Sequence, residues 1–114
     1  MRTPELYFSK QLLYHIERDL AINLKKQSRI PEITYYRYIC FNIIKKKYPV
    51  LRLSEIGTLF NRTHSTVFHG LSMYESLKNY SDFKVIEEKV NNSLASYYSN
   101  ALQMCNPVTY PNHV

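Results

Sequence analysis

A chain of 114 residues has the length of one domain and is short for a self-sufficient enzyme built on a cofactor fold. Its two glycines give too little turn punctuation for a many-stranded sandwich or barrel and leave no Gly-rich phosphate loop, so the expected class is all-α. Fifteen Lys and Arg against nine Asp and Glu give a net charge of +6, which favours a polyanionic partner.

In chain order, Phe8, Leu12, Leu13, Ile16 and Leu20 recur at helical spacing and predict a first helix from about Ser9 over residues 8–19. A short turn or helix follows at Ile22 to Lys26, then a connector over 27–34 in which Pro31 either opens the next helix or interrupts the chain. A helix from Ile33 to Lys47 carries Tyr36, Ile39, Cys40, Ile43 and Ile44 on one face and Arg37, Phe41 and Lys45 towards another, and Tyr48-Pro49 ends it. Ser54 is the predicted N-cap of a short helix over 54–60, Asn61-Arg62 a tight turn, and Thr63 the cap of a longer helix over 64–79. Val67, Leu71, Tyr74 and Lys78 mark the expected inward face of that helix, with Ser65, His69, Ser72 and Ser76 opposite. A last helix runs from Ser81 or Asp82 to about Leu102 with Phe83, Ile86, Val90, Leu94 and Tyr97 or Tyr98 inward. Residues 1–102 thus read as one domain and 103–114 as a loosely ordered tail.

The charge is unevenly placed. Lys25, Lys26, Arg29, Arg37, Lys45, Lys46, Lys47, Arg52 and Arg62 face only Glu32 and Glu55 over the stretch from Lys25 to Arg62, while the rest of the chain is close to neutral. The two cysteines, Cys40 and Cys105, are far apart, and a reduced, buried Cys40 fits a cytoplasmic location. No run of about 18 apolar residues and no secretory signal are evident. The eleven tyrosines fall mostly on helices and read as core-boundary residues in preference to base-stacking platforms.

The segment 53–77 has helix-turn-helix grammar: a short helix, a tight turn, and a longer helix opening on small polar residues, of which Ser65, Thr66 and Gly70 let the backbone approach a groove. The free N–H groups at such a helix start favour phosphate, and the side chains there reach the major groove. His64 and His69 are spaced five apart, about 140° round an ideal helix, unlike a zinc pair at i, i+4, and the cysteines supply no CxxC partner. Adjacent His64, Ser65 and Thr66 do not converge as nucleophile, base and orienter, so no enzyme and no metal or cofactor is expected.

Ser54-Glu55-Ile56-Gly57, Phe60, the run from Arg62 to Val67 and His69 resemble the C-terminal DNA-binding domain, domain IV, of the bacterial replication initiator DnaA. Lys25 to Arg29, Arg37 and Lys45 keep similar spacing, so the likeness spans roughly 8–100 with its specific part at about 52–71. It implies a TrpR-like helix-turn-helix fold of about five to six helices that binds a DnaA box in double-stranded DNA. By that resemblance Thr63, His64, Ser65, Thr66 and His69 fall on positions that face bases or neighbouring phosphates, and Arg29 on the minor-groove arginine. Arg37 and Lys45 fall on backbone-phosphate positions, to which the basic cluster adds Lys46 and Arg62. Thr63 stands where the family usually has an Asp suited to cytosine N4, and the turn is a residue tighter than its commonest form. The ATPase domain of DnaA, with its Walker motif, has no counterpart in this sequence.

The expectation is therefore a stand-alone module, of phage or mobile-element type or an isolated domain, that binds double-stranded DNA as a monomer in replication initiation or transcriptional control. No membrane and no nucleotide cofactor are expected, and the location is the bacterial nucleoid or a host cytoplasm. The alternatives are an adaptor for a replication protein or host initiator, with tyrosine-rich helices as its interface, and a non-specific DNA coat.

Overall fold

The computed structural model describes residues 3–26 and 31–105, and the side chains of 4–26 and 31–100. Five helices account for the ordered elements: α1 (Thr3–Leu20), α2 (Pro31–Lys47), α3 (Leu53–Thr58), α4 (His64–Leu77) and α5 (Ser81–Cys105). No strand occurs among the described residues, as the all-α expectation requires.

α1 starts earlier than the apolar spacing suggests. Pro4 lies in its first turn, where a missing N–H leaves no helical bond unmade, and Glu5 complements the positive end. The inward stripe contains Ser9, Leu12, Leu13 and Ile16; Phe8, expected inward, lies just off it and is 50% exposed. Ala21 ends the helix in the left-handed region at φ 56°, and Ile22 N–H closes a Schellman-type turn on the Glu17 carbonyl at 3.0 Å. Residues 22–26 are not helical, yet Leu24 among them is fully buried.

Pro31 opens α2, the first of the two roles its position allowed. Because α3, α4 and α5 all pack on this helix, it is buried on more than one face, and Phe41, expected away from the apolar face, is a core residue. Past its end, Lys45 Nζ donates to the carbonyls of Pro49 (3.0 Å) and Leu51 (2.8 Å). α3 begins one residue before Ser54, so the expected Ser54 cap is replaced: Arg52 is the N-cap residue, and its N–H donates to the Glu55 carboxylate at 2.7 Å.

Thr63 does cap α4, its hydroxyl accepting from Thr66 N–H at 3.4 Å. The buried stripe of α4 is Val67, Gly70, Tyr74 and Leu77, with Leu71 only half-buried and Lys78 exposed. Gly70 therefore faces α2 and not a groove: a Cβ on it would lie 2.5 Å from a ring carbon of Phe41. α5 continues to Cys105, three residues beyond its expected end, and residues 106–114 of the expected tail lie outside the described residues. Phe83, Ile86 and Val90 are buried on α5; Leu94 and Tyr97 pack partly against the core. α1 packs on α5, where His15 Nε2 donates to the Ser93 carbonyl at 3.1 Å. The centre is aromatic, with Phe41 against Phe60 at 4.7 Å and Phe83 between Tyr35 and Tyr74 at 5.1 and 5.6 Å. Among the described residues no helix is long and apolar enough to cross a membrane.

Candidate nucleic-acid interface

The α3–α4 turn sets the candidate site. Phe60 is buried and Asn61 takes a left-handed conformation at φ 57°, which an Asn tolerates better than most residues. Phe60 and Arg62 N–H groups both return to the Gly57 carbonyl, at 2.9 and 2.8 Å. A Cβ at Gly57 would sit 2.5 Å from the Arg62 carbonyl oxygen, so a glycine is what lets the turn fold back on α3. The turn then delivers Thr63 in an extended conformation, ready to cap.

On α4 the side chains of His64, Ser65, His69 and Ser72 are exposed and share one face at three- and four-residue spacing. Thr66 is half-buried beside Thr63, their hydroxyl oxygens 3.4 Å apart. Phe68 completes the face at 64% exposure. Sequence reasoning passed over it, although its spacing from His64, Ser65 and Ser72 places it on the same stripe. An exposed aromatic amid small polar groups provides an apolar contact of the type thymine methyls accept. His69 meets the edge of Tyr38 on α2 at 6.2 Å between ring centroids.

The predicted cations separate into two groups. Tyr38 lies beside His69, Phe41 beside Gly70, and Lys46 close enough to Glu75 to lower its pKa, after the larger effect of Lys78. Lys46 thus lies towards the end of α4 away from His64. Lys46 is exposed, whereas the Lys45 ammonium is held by the two carbonyls named above. Lys47 lies over the Tyr98 ring at 4.8 Å, tying the end of α2 to α5.

Arg37 and Arg62 gather at the near end. Arg37 is only 8% exposed, with Nη1 donating to the Lys26 carbonyl at 3.2 Å. Arg62 Nη1 donates to the carbonyls of Lys25, Phe60 and Asn61, at 3.2, 3.1 and 3.2 Å, and Nη2 to that of Lys26 at 3.3 Å. Burial, and then the neighbouring Arg62 charge, lower the Arg37 pKa. Arg29, the expected minor-groove residue, lies outside the described residues.

Cys40 is buried and unbridged, and burial pushes its thiol up to about 12, the state of an inert core thiol. Among the described residues no three His, Cys, Asp or Glu side chains gather as a metal site. No protein-family model, curated protein or solved structure matches this chain.

Proposed function

We propose that this chain is a sequence-specific double-stranded DNA-binding module that inserts the start of α4 into the major groove of a DnaA-box-like site as a monomer, in replication initiation or transcriptional control. The observation that carries the reading is the exposed face of His64, Ser65, Phe68, His69 and Ser72 on a capped helix behind a closed turn. Its free N–H groups favour phosphate, its histidines can donate to base edges or phosphates, and the short Ser65 and Ser72 side chains leave room for the backbone to approach. The net charge of +6 and the resemblance of 54–69 to the DnaA DNA-binding domain support the same partner. The module acts without catalysis, metal or nucleotide, in the nucleoid or a host cytoplasm.

Fluorescence anisotropy with a labelled duplex carrying a DnaA box and with a scrambled duplex, at about 150 mM salt, tests this. A preference of about 100-fold or more is expected, with log K falling against log salt at a slope near −4 to −5 for about five phosphates. Thr66→Ala is expected to lose about 1–3 kcal/mol on the preferred site and little on the scrambled one; equal losses on both would remove Thr66 from base reading.

A protein-adaptor reading is favoured by one observation, the exposure of Tyr7, Phe8 and Tyr14 on α1. It predicts no preference between duplexes and retention of a replication protein through that helix, lost on Tyr7→Ser with Tyr14→Ser.

A further inference from the structure

Residues 23–26 have no helix or strand, yet side chains of Asn23 itself and of Glu17, Arg37 and Arg62 bond their main chain. Leu24 N–H donates to the Glu17 carboxylate of α1 at 2.8 Å. The Asn23 side-chain oxygen accepts from the N–H groups of both Lys25 and Lys26, at 3.0 and 3.1 Å. Their carbonyls accept from Arg62 of the α3–α4 turn, and that of Lys26 from Arg37 of α2 as well. With Leu24 fully buried beneath, the segment is fixed on three sides, and the Lys25 and Lys26 side chains remain exposed.

The two arginines are poorly placed to meet phosphate themselves. Arg37 is almost wholly covered, and the terminal nitrogens of Arg62 both point at main-chain carbonyls. A planar guanidinium is suited to this task, since its fork of donors joins several carbonyls at once where an ammonium offers a compact point charge. The bonds from Arg62 to the Phe60 and Asn61 carbonyls fasten the turn in front of α4 with the same group that holds Lys25 and Lys26.

We propose that Arg37 and Arg62 are positioning residues that lock the 23–26 segment to the α3–α4 turn, and that the exposed ammonium groups of Lys25 and Lys26 make the phosphate contacts beside the start of α4. The lysine half rests on the DNA-binding reading; the locking half concerns the free protein. Holding the two lysines and α4 as one unit lowers the ordering cost of docking both.

Two measurements on the full chain test it. In amide hydrogen exchange without DNA, Arg62→Gln and Arg62→Lys are each expected to speed exchange at Lys25 and Lys26 by about tenfold or more, with Ile39 and Ile44 amides unchanged as the sign of an intact core. Unchanged exchange at Lys25 and Lys26 overturns the lock. In anisotropy titrations across salt with a duplex of about 20 base pairs, Lys25→Gln with Lys26→Gln is expected to make the log K against log salt slope shallower by about 1.8, at 0.9 per phosphate. Arg62→Lys is expected to weaken binding about tenfold at the wild-type slope. An unchanged slope in the double lysine variant overturns their phosphate role. Wild-type binding by Arg62→Lys, with a shallower slope in Arg62→Gln, makes Arg62 a phosphate contact and overturns its positioning role. A wild type that binds no duplex overturns the DNA reading and the lysine half with it, while exchange still decides the lock.

Discussion

Gly70 packs against two aromatic side chains of α2. A Cβ there would lie 2.5 and 2.7 Å from two ring carbons of Phe41 and 3.0 Å from one of Tyr38. The Phe41 ring is fully buried and set edge-on against Phe60 at 4.7 Å, so it has no room to retreat. Two effects of Gly70→Ala oppose each other: helix propensity favours alanine by about 1 kcal/mol, while overpacking a filled core destabilises by about 1–3 kcal/mol. With backbone-held aromatic neighbours on one side, overpacking is expected to win. Urea unfolding should give a lower midpoint at unchanged m, and a midpoint at or above wild type would show that the rings yield. The sequence gives Gly70 as a small residue on a helix; that it faces α2 depends on Phe41, whose own burial was not evident from the one-face pattern of α2.

At the scale of elements, the order and type of the helices were readable because apolar residues recur at helical spacing and because Thr63 and Pro49 mark boundaries. The boundaries that moved did so for local reasons. α1 begins at Thr3 because its first turn is stabilised by position and charge and does not need an apolar residue, and α3 begins at Leu53 because Glu55 reaches back to Arg52 N–H. The polar stripe of α4 was readable for the same reason as the helix. The destinations of Arg37 and Arg62 were not, since they are carbonyls of residues 11 and 36 or 37 positions away in sequence. Long-range contacts of this kind also orient α4: the Tyr74 hydroxyl donates to the Glu87 carboxylate of α5. Tyr74→Phe removes that tie and leaves a half-buried carboxylate without its donor. A loss of about 1–2 kcal/mol is expected in urea unfolding, the lower end of the range for a bond to a charged group because Glu87 keeps access to water. A wild-type midpoint would show that water replaces the phenol without loss.

Across the whole molecule, the groups with raised pKa values lie along α2, its C-terminal end and α4, where burial sets the protonation state. Cys40 is pushed up to about 12 by burial. Burial also raises Tyr36, Tyr38, Tyr48 and Tyr74, in the last case together with the Glu87 hydrogen bond and charge. All five are neutral acids whose anions the fold disfavours. In the unfolded chain the thiol ionises near 9.0 and the phenols near 10.0, whereas the folded chain retains these protons to higher pH. The native state then binds more protons than the unfolded one, and stability falls as pH rises. Their contribution is complete below the unfolded thiol value, begins to be lost above 9.0, and is lost more steeply once the tyrosines of the unfolded chain ionise. Cys40 accounts for about 1 kcal/mol of this by pH 10. Cys40→Ala should lower stability at every pH through the small void it leaves, but flatten the decline over the first pH unit of the fall. Urea unfolding measured from pH 7 to 10.5 checks both slopes: equal slopes in wild type and variant would remove the thiol from the account, and a wild type flat throughout would remove the tyrosines as well.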